Sequence, residues 1–195
     1  EYYDAQSLTD AQRARIDDCV AARAAAITGD DPDARAEARE ALLEDLGADP
    51  LSADFRLTIG GAIARHLGPT VRAENAAAAV NALIVAGEAA TTTVLEDVVE
   101  PALSHERETR DPVRFSAVRA LGRMLGRIDG AGRVLNERDA NRIIELLAER
   151  IRRDPNADVV EAAIESLRDA LFVDTIEPTR ERGIAALATA ASAIA

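Results

Sequence analysis

The sequence predicts an all-α fold assembled from stacked helical hairpins, and three observations carry that expectation. Apolar residues recur at steps of three and four along nearly the whole chain, without the sustained alternation that a half-buried strand requires. Composition agrees, because 42 of the 195 residues are alanine, tryptophan is absent and Phe plus Tyr number five. The helices also repeat. Aligned on Ala or Ser followed by Leu, they give Ala41-Leu42, Ala82-Leu83, Ala120-Leu121 and Ser166-Leu167, with leucine spacings of 41, 38 and 46. The length suits a single domain over residues 1–195, large enough to bury a core without disulfides or a structural metal.

A first helix, over about 9–28, opens at Thr9-Asp10-Ala11-Gln12, where the Thr hydroxyl and Gln amide satisfy free N–H groups as a capping box. The second, 32–47, starts at Asp31-Pro32; Asp caps while its charge meets the positive helix end, and Pro at the first position loses no hydrogen bond. Asp49-Pro50 gives the same signal for a third helix over 51–67. The fourth, 71–87, is apolar nearly all round, with Ala76 to Ala79, Val80, Leu83, Ile84 and Val85, and is expected to be central. A fifth spans 92–105 and carries Pro101, whose ring clashes with the carbonyl four residues back and kinks the helix. Asp111-Pro112 opens a sixth at 112–128, a seventh runs over 137–153, and Asp154-Pro155 opens an eighth at 156–172. The last covers 178–194. Its apolar stretch, Gly183 to Ala195, is shorter than the roughly 20 residues that cross a bilayer, so it is expected to dock on its neighbour. Gly29, Gly47, Gly68 and Gly87 follow apolar runs where left-handed C-terminal turns are expected. Short connections make antiparallel hairpins of 9–47, 51–87, 92–128 and 137–172.

One turn before each aligned Ala or Ser lies another alanine, at Ala38, Ala79, Ala117 and Ala163, so a stripe of small side chains lets neighbouring helices approach closely. The run Asp111-Pro112-Val113-Arg114-Phe115-Ser116-Ala117-Val118-Arg119-Ala120-Leu121-Gly122 resembles the second helix of a HEAT or HEAT-like repeat, with one residue fewer between Pro and Val. Ala34 to Leu43, Asn75 to Leu83 and Val159 to Arg168 keep parts of that pattern, and Pro101 resembles the proline that kinks the first helix of many such units. The resemblance covers Asp31 to about Val173. It implies a right-handed α-solenoid of about four HEAT-like hairpins plus a terminal helix, in which the second helices line the concave side.

Several chemistries are excluded. All 23 basic residues are arginine, and without lysine there is no Walker-type phosphate loop, Schiff-base chemistry or kinase-like Lys–Glu pair. A formal charge of −12 and a pI near 4.7 oppose binding to nucleic acid or an anionic membrane, and no membrane span is expected. Cys19 is the only cysteine, so neither an intrachain disulfide nor a Cys-based zinc cage is available; near Ile16, Val20 and Ile27 it is expected to be buried as a small hydrophobe. His66 and His105 lack a partner at metal-binding spacing and are expected near helix C-termini, where the dipole favours them. Asp30, Asp31 and Asp33 lack the Gly and terminal Glu of a calcium loop. No catalytic residue, metal site or cofactor is therefore expected.

One charge anomaly points to a partner. Between residues 107 and 133, Arg107, Arg110, Arg114, Arg119, Arg123, Arg127 and Arg133 face only Glu108, Asp111 and Asp129, a balance of +4 against −16 for the remainder. Arg119, Arg123 and Arg127 advance by four, so they share a face opposite Val118, Leu121, Leu125 and Ile128. The expected function is a non-catalytic scaffold that binds a protein or peptide, of acidic character, through Arg114, Arg119, Arg123 and Arg127, with Asn81 and Val85 as an apolar floor beside them. The structural alternative pairs these arginines with Asp97, Glu145 or Glu149 of neighbouring units. Other open readings are an enzyme or an enzyme's accessory repeat domain, as in phycobilin-lyase-type HEAT-like units, DNA binding as in some HEAT-like repair glycosylases, and a structural spacer. Oligomeric state and compartment stay open: a cytoplasmic site is favoured, and the absence of an initiator Met is compatible with an exported mature chain.

Overall fold

The computed structural model describes residues 7–48, 50–104, 108–127 and 134–170, together with 181, 183–185 and 187–189; every described element is helical. α1 (Asp10–Thr28) opens with the expected capping box, Gln12 accepting from the Thr9 N–H at 2.8 Å while Thr9 Oγ1 accepts from the Gln12 N–H. α2 (Pro32–Gly47) is capped by Asp31, which accepts from the amides of Asp33 and Ala34. α3 (Ala53–Arg72) departs from expectation at both ends. Its cap is Ser52, which accepts from the Phe55 N–H, while Asp49 lies outside the described residues. The helix also continues through Gly68 and Pro69 to Arg72, because Thr70 and Val71 beyond the proline are buried and their packing outweighs the lost backbone bond. α4 (Ala76–Ala89) accordingly starts late, at the cap Asn75.

The glycines do not supply left-handed helix ends. Gly29 is extended, Gly47 and Gly68 lie inside helical spans, Gly87 lies within α4, and the left-handed cap is Ala90, with φ 47°. Arginines instead reach the C-terminal carbonyls, where a cation also meets the negative helix end. Arg35 donates to the carbonyls of Ile27 and Gly29 after α1, and Arg110 to those of Val71 and Ala73 at the end of α3.

The fifth expected helix is broken where Pro101 required it. α5 (Thr92–Val94) passes into a π-helical turn, Leu95–Val99, and a 3₁₀ turn, Glu100–Ala102. A helical residue at 101 would bond the Asp97 carbonyl; proline cannot, and Arg72 Nη1 donates to that oxygen at 3.2 Å. α6 (Asp111–Gly126), α7 (Glu137–Arg153) and α8 (Ala157–Ala170) match their expected spans to within about two residues. Most of the terminal helix expected over 178–194, and all of His105, lie outside the described residues.

Two rows of helices pack against one another. In one, α2 lies on α4, α4 on α6 and α6 on α8; in the other, α1 lies on α3 and α3 on the broken segment Thr92–Ala102. Hydrogen bonds from Thr92 to Asp139 and from Arg142 to Glu100 carry the second row on to α7. The small-residue stripe lies where these helices meet. Ala79, Ala117 and Ala163 are buried together with Leu42, Leu83, Leu121 and Leu167. Glycine is required at three contacts: a Cβ on Gly60 would come within 2.5 Å of the buried Thr91 side chain, one on Gly87 would approach the Ala120 Cα to 3.0 Å, and one on Gly122 would come within 2.9 Å of the Ser166 Cβ.

Candidate functional site

On the surface of the α2–α4–α6–α8 row, the predicted arginine band separates into two parts. Arg114 belongs to the core. Its side chain is 2% exposed, Nε and Nη2 donate to Asp154 at 3.0 and 3.1 Å, Nη2 donates to Asp111 at 2.6 Å and Nη1 to the Glu108 carbonyl. Asp154, with 0% exposure, is satisfied further by the Asn156 N–H and lies 3.9 Å from Arg150. Buried, and with four of its five N–H donors engaged, Arg114 cannot reach a partner, which corrects its place in the band. Arg110 is likewise consumed in capping α3 and in bonding Glu108. Arg107 and Arg133 lie outside the described residues.

Arg119, Arg123 and Arg127 do occupy the outer face of α6, opposite buried Val118, Leu121 and Leu125; Ile128 lies outside the described residues. Arg119 bonds Glu165 of α8 at 2.8 Å, both side chains being nearly half exposed, and Arg127 pairs with Glu88 of α4. The carboxylates therefore come from the neighbouring helices of the same row, not from Asp97, Glu145 or Glu149. Pairs this exposed contribute about 0–1 kcal/mol each and are exchangeable for an incoming ligand. Arg123 has no ion pair among the described residues.

The apolar floor is absent. Val85 and Ala78 are fully buried, so that part of α4 is interior packing. Asn81 stays half-buried, accepting from Arg39 of α2 at 2.9 Å and donating to the Ala77 carbonyl. The apolar surface lies instead on α6, at Phe115, 39% exposed and four residues before Arg119. Phe115 opens into a groove of about 570 Å³ between the N-terminal halves of α6 and α8. Its signal was present in the sequence: a phenylalanine in register with the exposed arginines, off the stripe of Val113, Ala117 and Leu121.

Elsewhere, two expectations are corrected. Cys19 is exposed, one helical step away from the buried Val20. His66 lies inside α3, its Nε2 3.1 Å from Asp17 of α1, and caps no helix end. Among the described residues no three of His, Cys, Asp and Glu converge as a metal cage requires, and no helix is long and apolar enough to cross a membrane. No protein-family model matches the chain, and no curated protein matches it.

Three hydrogen-bonded carboxylates, Glu108, Asp111 and Asp54, give the fold a pH dependence. Bonds from Arg110 hold Glu108 below its ordinary pKa, those from Asn156 and Arg114 do the same for Asp111, and the Leu8 N–H and Arg13 lower Asp54. A carboxylate whose folded pKa lies below its unfolded value stabilises the native state above the unfolded value, and that contribution is lost as pH falls through the folded one. Urea midpoints are therefore expected to be flat from neutrality to about pH 5.5 and to drop below about pH 4.5. In Glu108→Gln, already weaker at pH 7, the drop should be shallower; an equally steep drop would remove Glu108 from the explanation.

Proposed function

We propose that the protein is a right-handed α-solenoid of about four HEAT-like hairpins plus a terminal helix, and that it binds a protein or peptide along the concave face lined by its second helices, α2, α4, α6 and α8. The observation that supports this reading is that, Arg23–Asp45 within the first hairpin aside, the side chains bonded between distant helices lie 39 to 49 residues apart, about one hairpin's length. Arg13 reaches Asp54, Arg39 reaches Asn81, Thr28 meets Thr70, Arg114 meets Asp154 and Arg142 meets Glu100, at separations of 41, 42, 42, 40 and 42 residues. Such offsets arise when each unit touches the equivalent part of the next, as in a one-dimensional repeat stack.

The open face supplies the rest. Arg119, Arg123 and Arg127 alternate with Glu88 and Glu165 across α4, α6 and α8, giving a surface of exchangeable charge. Arg119→Glu combined with Arg123→Glu is expected to abolish capture of the protein partner while changing stability by no more than about 1 kcal/mol. Affinity capture beside a thermal melt checks this, and undiminished capture would take the arginines out of the binding face.

A further inference from the structure

Two features of the α6–α8 groove coincide. Its apolar side is built from Pro112 and Phe115 of α6 against Val159 and Ala162 of α8, and Phe115 leaves a large part of its ring open to solvent. Its rim is acidic. Asp158 and Glu161 have no ion pair among the described residues, Asp111 and Glu165 also border the groove, and no basic side chain lines it. A volume of about 570 Å³ is enough to receive several side chains.

We propose that this groove docks a cationic amphipathic segment of a partner protein, an apolar side chain seating on Phe115 while flanking Arg or Lys side chains meet Asp158 and Glu161. The proposal rests on the binding reading above and adds to the arginine stretch a second, acidic stretch of the same face, which takes a basic part of the partner. Charge selects the occupant. A nucleic acid would bring phosphates against carboxylates, and a second copy of this chain, with 35 acidic and 23 basic residues, would bring mostly like charge. A basic segment is steered inward by the field of a chain of net charge −12, and an exposed aromatic at the centre of a rimmed groove is the usual anchor of such a contact.

Titration of the full chain with a labelled helical peptide of Leu and Lys, beside its Glu-for-Lys counterpart, tests this by fluorescence anisotropy. The cationic peptide is expected to bind, more weakly as salt is raised, and the acidic one to be ignored. Asp158→Asn with Glu161→Gln should weaken binding about tenfold. Phe115→Ala should weaken it about 30-fold. Both variants are to retain wild-type helicity by circular dichroism, and Arg123→Glu is not to weaken the peptide. Absence of cationic binding, binding indifferent to the groove variants, or self-association abolished by Phe115→Ala would each overturn the proposal. The two readings fail separately. Partner capture through Arg119 and Arg123 without cationic-peptide binding removes the groove and leaves the wider face; groove-dependent peptide binding with capture unaffected by the arginine reversals removes the arginines and leaves the groove.

Discussion

Asp154→Ala is expected to destabilise the protein by about 3–5 kcal/mol, because it strands a buried guanidinium whose principal partner is gone. Arg114 and Asp154 are 2% and 0% exposed, and the carboxylate makes two bonds to Arg114 while also accepting the Asn156 N–H. Asp154 raises the pKa of Arg114, and even without that carboxylate a guanidinium keeps its proton, so the stranded charge cannot escape burial by deprotonating. Urea denaturation measures the loss. Replacing the pair together, as Arg114→Met with Asp154→Leu, should recover part of it, since two buried charges leave water no longer. Recovery stays partial because Arg114 also serves the Glu108 carbonyl. A loss below about 1 kcal/mol for Asp154→Ala would mean that the pair contributes no more than a surface bridge.

Leu121→Ala should cost about 2–5 kcal/mol, the range for a leucine removed from a site that cannot collapse. Leu121 has 0% exposure on α6, which is held between α4 and α8 by the close contacts at Gly87 and Gly122. Phe115→Ala, six residues earlier on the same helix, should change stability by about 1 kcal/mol or less, since a large part of that ring is already in water. The contrast between these two variants, read as urea midpoints, separates the packed side of α6 from its open side. Equal losses would put Phe115 in the core and close the groove.

Most helices were legible because periodicity and capping chemistry are local. Thr9, Asp31 and the Ala/Leu stripe act within one or two turns of their own positions, and each does what its spacing implied. What sequence alone could not sort was which arginines are structural. Arg114 and Arg119 look alike on the chain, and only Asp154, 40 residues away, makes one a core residue. Asp154 itself resembled a helix cap beside Pro155, but it ends α7, and Asn156 caps α8 by accepting from the Asp158 and Val159 amides. Gly68 read as the end of α3 because its place after an apolar run was visible and the burial of Thr70 and Val71 beyond it was not. The floor expected at Val85 failed for a related reason: α4 is covered on several sides, and among the described residues it is α6 that leaves an aromatic side chain exposed.

Amide hydrogen exchange on the chain with and without its captured partner bears most directly on the binding face. Slowed exchange confined to α4, α6 and α8, strongest in the first turns of α6 and α8 beside Phe115, is the expected result. Slowed exchange over α1, α3 and α7 with α6 unchanged would place the partner on the opposite row of helices and contradict it.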